Sequence, residues 1–161
     1  MRIFLIFTLF VFVMVADAQS GRSTGTPEIV TTASVKQLFD ETNSYTRSKF
    51  IEYADKKLPY SERLQEQTRK EQKQLAAKNA AIAAARQEPS GEDLYFTGLL
   101  YWVADNLDGT ATWLERYVVS TDPSAEKLQT ARSLISVVAA KQGRFEQAEK
   151  ALSDYLAGPS V

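Results

Sequence analysis

From Ser34 onward, apolar residues recur at steps of three and four, the spacing that places them on one face of an α-helix. Proline and glycine divide this pattern into blocks, because proline cannot continue a helix and glycine favours the turn that ends one. The breaks fall at Pro59, Pro89, Pro123, Gly143 and Gly158. No stretch of four or more residues alternates as a strand does, outside a stronger helical pattern. The sequence therefore predicts an all-α fold of about six antiparallel helices joined by short turns.

Residues 1–18 have the pattern of a secretory signal peptide. Arg2 precedes an apolar run from Ile3 to Val15, and the small residues Ala16 and Ala18 follow. A helix formed by that run would span about 20 Å, short of the ~30 Å hydrocarbon core of a bilayer. We expect cleavage after Ala18 and an exported protein, periplasmic or secreted, that keeps no stable membrane anchor.

The following region divides into a leader and two long helices. Residues 19–33 are small and polar without an apolar period, which predicts a flexible leader. Residues 34–90 are expected to form helices over 34–58 and 61–86, the second capped by Ser61. The second helix is rich in alanine, which allows close helix approach, and it carries a surplus of basic residues. That surplus fits a solvated helix face better than a docking face for an acidic partner or for membrane headgroups.

Composition excludes several classes of function. Lys and Arg number 19 against 20 Asp and Glu, a near-balance that argues against nucleic-acid binding through bulk charge. Cysteine and histidine are both 0, so the chain by itself holds no disulfide, thiolate zinc site, redox C-x-x-C pair or histidine-based triad. We therefore expect a non-enzyme with no catalytic residues, no cofactor and no metal.

A repeat is visible in residues 91–161. Gly109 and Gly143 lie 34 residues apart, each expected in the turn of a helix pair, the first pair turning over residues 106–109. Residues 141–148 (KQGRFEQA) closely resemble the turn and second-helix start of tetratricopeptide repeats. The resemblance implies two such helix pairs over 91–161 in an α-solenoid or bundle. It also implies that the helices touch at Ala148 and that Phe145 fills the gap beside it.

A second resemblance covers more of the chain. Residues 56–60, 71–77 and 93–101 are similar to a helical region that precedes the thioredoxin-type domain in exported bacterial redoxins. This similarity implies an accessory role in a thiol–disulfide system. It implies no redox activity for this chain, because the cysteines are absent.

The tetratricopeptide resemblance also implies a peptide-binding face on the first helix of each pair. The matching positions are Tyr95, Leu99, Trp102, Thr130, Ser133 and Lys141. Packing of Tyr95 and Trp102 against the long helices is the competing interpretation. Asp105 and Asp108 could form a carboxylate pair for a metal or for acid–base catalysis, but a turn at a helix end explains them better. Arg132 could bind a carboxylate or form a surface ion pair.

Two functions follow as expectations. The first is an exported, non-catalytic helical scaffold that binds a protein or a peptide, and the alternative is the thiol–disulfide accessory. Because two repeats are fewer than the roughly three that an array needs, we expect either the long helices or a second copy of the chain to cover the open end.

Overall fold

The computed structural model of the chain describes residues 32–120 and 123–158. The predicted signal peptide and nearly all of the predicted leader lie outside these residues. The described part contains six α-helices and no strand, which confirms the all-α prediction. The helices are α1 (Val35–Asp55), α2 (Glu62–Ala84), α3 (Gly91–Val103), α4 (Leu107–Val118), α5 (Ala125–Lys141) and α6 (Phe145–Leu156).

Serine begins four of the six helices. The side-chain oxygens of Ser34, Ser61, Ser90 and Ser124 each accept a hydrogen bond from the backbone N–H three residues later. Such a cap satisfies one of the donors that a helix N-terminus leaves free, and each contributes about 1 kcal/mol. Asn106 caps α4 in the same way. Local sequence therefore specifies five of the six helix starts.

The odd-numbered helices α1, α3 and α5 share one ending. Each is followed by a residue in the left-handed conformation, Lys57 at φ 54°, Asp105 at φ 63° and Gly143 at φ 72°. The next N–H then bonds back to the carbonyl five residues earlier, as from Asn106 to Tyr101 at 2.9 Å and from Arg144 to Ala139 at 2.8 Å. This is the Schellman motif. The three hairpins α1–α2, α3–α4 and α5–α6 therefore begin from the same kind of turn.

The Schellman motif at the end of α3 shows that the predicted turn over residues 106–109 is wrong in position. Asn106 is the N-cap of α4, and Gly109 lies within the first turn of that helix. Its small size serves packing instead, since a Cβ there would lie 2.5 Å from the Tyr101 ring. The true counterpart of Gly143 is Asp105, because the short polar side chain of aspartate tolerates the left-handed conformation better than most.

In the first hairpin, α1–α2, small residues and polar side chains, among them the amides of Gln72 and Asn79, join the helices. Ala76, Ala80 and Ala83 are fully buried where α2 packs against its neighbours α1 and α3. The buried Asn79 amide donates to the Leu38 carbonyl at 3.2 Å and to the Thr42 hydroxyl at 3.0 Å. These bonds satisfy a polar group that would be costly to bury alone.

Helix α3 forms the centre of the core. It contacts α1, α2 and α4, and it contributes Leu94, Phe96 and Leu100 to the buried cluster. Gly98 allows α4 to come near, because a Cβ at this position would lie 2.5 Å from Leu114 Cδ2. The third hairpin, α5–α6, packs on this centre through α4 and α5.

Helix α6 packs differently from the prediction. Its buried residue is Ala151, while Phe145 is exposed and Ala148 is only half-buried. The expectation that Phe145 fills a gap between the paired helices is therefore wrong. Arg132 of α5 bonds to the Asp154 carbonyl and Gln129 bonds to the Tyr155 carbonyl, which anchors the end of α6 with its Ala151 side toward α5.

Candidate functional site

Helices α3 and α5 run in the same direction and are joined through long side chains. Three contacts connect them in ascending order along both helices. Lys127 forms an ion pair with Glu92 near the helix starts, Thr130 interacts with Tyr95, and Lys141 meets Trp102 near the helix ends. Contacts in this order require parallel helices. The start and the end of α3 therefore meet the corresponding ends of α5.

The strongest pairing among the predicted site residues joins Trp102 and Lys141. The Lys141 ammonium lies 5.1 Å from the centroid of the Trp102 ring, within the roughly 6 Å range of a cation–π contact. Trp102 is half-buried and Lys141 is exposed. The pair therefore offers solvent both an aromatic surface and a positive charge.

A carboxylate and a second ammonium adjoin this pair. The Lys73 Nζ atom of α2 lies 2.8 Å from Asp105 Oδ2. The hydrogen bond from Lys73 lowers the pKa of the Asp105 carboxyl, and the charge of Lys141 acts in the same direction. Lys73 and Asp105 were not among the predicted site residues, because no sequence spacing encodes a contact between α2 and the end of α3.

Tyr95 belongs to the core. Its ring centroid lies 5.3 Å from that of Phe96 and 5.2 Å from that of Tyr117 on α4. Burial raises the pKa of the Tyr95 hydroxyl, while the neighbouring Thr130 side chain acts in the opposite direction. Tyr95 thus packs within its own hairpin and offers little surface to a ligand.

The remaining predicted residues lie between these contacts. Leu99 is half-buried and packs against the core. Thr130 is exposed, and its hydroxyl donates to the Glu126 carbonyl at 3.1 Å. Ser133 is half-buried, and its carbonyl accepts from Ser136 at 2.9 Å. The structure therefore brings four of the predicted residues together in two pairs, Tyr95 with Thr130 and Trp102 with Lys141.

A shallow cleft lies elsewhere, between α4, α5 and α6. Its volume is about 190 Å³, and its apolar lining includes Val118, Ile135 and Ala151. Arg132 contributes to the wall, and its Nη1 donates to the Asp154 carbonyl at 3.1 Å. Arg132 therefore serves to hold the end of α6.

No group of three or more acidic side chains within residues 32–120 and 123–158 is arranged to hold a metal ion. Over the same residues, no helix combines the length and apolar character needed to cross a membrane. Comparisons with known protein families, curated proteins and solved structures found no match.

Proposed function

We propose that this chain is a non-catalytic helical scaffold, built from tetratricopeptide-like hairpins, that binds a peptide segment of another protein across α3 and α5. The observation that carries the proposal is the parallel alignment of these two helices, with Trp102 and Lys141 adjacent at one end. Parallel first helices form the binding face in repeat arrays of this kind. The shared turn of the three hairpins supports the same arrangement.

The chemistry of this face suits a peptide that combines apolar side chains with a hydrogen-bond acceptor. An aromatic ring beside a cation provides apolar contact area and an electrostatic anchor, a combination enriched where interfaces concentrate their binding energy. Thr130 and Ser133 add hydroxyls along the same helix, α5. The bound segment contacts the Trp102 ring and places an acceptor near Lys141.

The proposal includes export and the absence of catalysis. The signal-peptide pattern of residues 1–18 supports action outside the cytoplasm. The lack of histidine and cysteine supports a binding role, because the commonest general base and the thiol nucleophile are absent from the sequence.

Affinity purification of residues 19–161 from an exported fraction tests the proposal, with mass spectrometry of the proteins that co-elute. The decisive variant is Trp102→Ala with Lys141→Gln. The chain supplies a matched control in its other tryptophan, Trp113 on α4, which has Arg116 4.4 Å from its ring centroid. We expect the first variant to lose the captured partner and the Trp113→Ala, Arg116→Gln variant to keep it.

Loss of the partner from both variants, or from neither, contradicts the proposed face. Circular dichroism of each variant distinguishes loss of binding from loss of folding. A thiol–disulfide protein as the captured partner would place this chain in a redox folding system, while any other specific partner would make it an independent scaffold.

A further inference from the structure

The face that α3 and α5 form together has its charged residues at its two ends. Residues 94–103 of α3 include no Asp, Glu, Lys or Arg. Over residues 128–140 of α5, Arg132 is the one charged residue, and its Nη1 atom donates to the Asp154 carbonyl of α6 at 3.1 Å. The centre of the face, which includes the exposed Thr130, is therefore uncharged.

The start of the face, where both helices begin, is acidic. The first turn of α3 carries Glu92 and Asp93, and the first turn of α5 carries Glu126. Lys127 forms an ion pair with Glu92, so its charge is already balanced. Asp93 and the exposed Glu126 therefore leave this end with an excess of negative charge.

A second cation at the start of the face is also paired. The Lys36 ammonium of α1 and the Lys127 ammonium of α5 lie 5.9 Å and 5.4 Å from the centroid of the Phe96 ring. Lys36 forms an ion pair with Asp40 at 2.6 Å. Each of the two ammonium groups thus has a carboxylate of its own, and the excess negative charge persists.

The other end of the face, where both helices finish, is basic. Two ammonium groups meet there, Lys141 beside the Trp102 ring and Lys73 at 2.8 Å from the Asp105 carboxylate. One carboxylate balances one of the two ammonium groups. A positive charge therefore remains in excess beside an accessible aromatic surface.

Helix dipoles explain part of this pattern. An acid near a helix start and a base near a helix end are favourable, which accounts for Glu126 and Lys141. Lys73 lies in the middle of α2, where the dipole gives no such preference. Without Lys73, the Asp105 carboxylate would cancel the charge of Lys141, so a residue from another helix makes this end positive.

The separation of the two ends determines the length of a segment that can reach both. Glu92 and Trp102 are about 15 Å apart along α3, and Glu126 and Lys141 are about 22 Å apart along α5. An extended segment covers these distances in about five to seven residues. Since both exceed the ~8 Å Debye length at physiological ionic strength, each end acts on the side chain placed beside it.

We infer that the bound segment is extended and carries an acidic side chain beside Lys141 and a basic side chain beside Glu126, with uncharged residues between them. This inference rests on the proposed function, since it specifies the peptide that the same face binds. Opposite charges at the two ends fix the position of the segment along the face, and electrostatic complementarity of this kind provides specificity more than affinity.

Selection of phage-displayed random dodecapeptides on residues 19–161 tests the inference. Peptides that also bind the Trp102→Ala variant are removed, so the remaining set reports on this face. We expect an acidic and a basic residue five to seven positions apart to be enriched about threefold over the unselected library, because each charge meets its opposite on the face.

Charge reversal at each end should change one preference and leave the other. Selection on Lys141→Glu should replace the acidic residue of the peptides by a basic one, and selection on Glu126→Lys should replace the basic residue by an acidic one. Arg63→Glu and Glu66→Lys make the same changes in net charge on the exposed part of α2 and should alter neither preference.

Lys73→Gln provides a further variant that leaves Trp102 and Lys141 in place. It should weaken the preference for an acidic residue and preserve the preference for a basic one. Circular dichroism verifies that each variant is folded.

The outcomes separate this inference from the function on which it rests. Peptides that depend on Trp102 but carry no charge pair, or whose charges are unchanged by both reversals, overturn the inference and leave the peptide-binding face standing. A set that is empty once the peptides binding Trp102→Ala are removed rejects both the charge pattern and the face.

Discussion

The second and third hairpins have one local design and two different environments. Both turns place a single left-handed residue, Asp105 or Gly143, directly before the N-cap of the next helix. Both second helices carry leucine and tyrosine at matching positions. Yet Leu114 is fully buried and Leu152 is half-exposed. The comparison teaches that local sequence specifies the hairpin, while the neighbouring helices determine how much apolar surface it buries.

The largest expected effect comes from truncating the matched leucines. Leu114→Ala removes a fully buried side chain and should lower the free energy of unfolding by about 3 kcal/mol through lost burial and a residual cavity. Leu152→Ala should cost less than about 1 kcal/mol, since its side chain already contacts water. Urea denaturation at low protein concentration measures both. Similar losses in the two variants would show that the hairpins are equally buried in solution.

The close approach of α3 and α4 is tested at Gly98. A Cβ there would lie 2.5 Å from Leu114 Cδ2 and 3.3 Å from the Leu114 backbone nitrogen. Gly98→Ala should therefore destabilise the protein by about 1 kcal/mol, as overpacking outweighs the gain in helix propensity. The matched control is Ser136→Ala, at the same distance from the turn in α5, which should change stability by less than about 0.5 kcal/mol.

A double variant checks the cause of the Gly98 effect. If the contact with Leu114 is responsible, the cost of Gly98→Ala should shrink in a Leu114→Ala background, because the obstructing side chain is then absent. Fully additive losses in urea denaturation would assign the effect to something other than this contact.

Substitutions at the left-handed residues of the first and third hairpin turns should have smaller effects on stability. Lys57 is exposed and left-handed, so Lys57→Gly should stabilise the protein by about 0.5 kcal/mol after the entropic cost of glycine. Gly143→Ala should cost about 1 kcal/mol, purely from backbone strain, since nothing lies within 4 Å of the added Cβ. Thermal unfolding of both variants checks the signs. A stabilised Gly143→Ala variant would contradict the left-handed turn.

The smallest effect concerns acid sensitivity in the first hairpin. Hydrogen bonds from Lys56 and then Lys49 lower the pKa of Glu52 from 4.5 to about 2. A carboxylate with a lowered pKa stabilises the folded chain above pH 4.5, and this contribution is lost as the pH falls toward 2. Glu52→Gln should therefore make the melting temperature depend less on pH between pH 2 and pH 4.5. Glu66→Gln, on the exposed face of α2, is the control and should leave the profile unchanged.

Much of the fold follows from the sequence alone. Helical spacing predicts six helices, and Ser61 and Gly143 correctly mark a beginning and an end. The left-handed role of Asp105 was missed, because aspartate is far less diagnostic of this conformation than glycine. The orientation of α6 was also missed. Periodicity identifies an apolar face, but it does not reveal which side of the helix turns toward its neighbour.

The candidate site was predictable in part. Resemblance to a repeat family selected Trp102 and Lys141, which the structure places 5.1 Å apart, ring centroid to ammonium. It also selected Tyr95, which packs in the core. A linear pattern indicates which helices carry the candidate residues, but the rotation of each helix determines which aromatic side chain remains accessible. The contribution of Lys73 depends on a contact between distant helices and has no local signal.

The Asn79 amide has a consequence for how the first two helices find their alignment. Alanine offers α1 a nearly uniform surface, on which a shift by one turn would cost little in apolar contact. The fully buried bonds from Asn79 to Leu38 and Thr42 are available in one alignment alone. An alignment without these partners would bury the amide with no hydrogen bond, at a cost of a few kcal/mol. Asn79, together with Gln72, whose amide donates to the Thr42 carbonyl at 2.9 Å, thus specifies an alignment that the alanine surface alone does not.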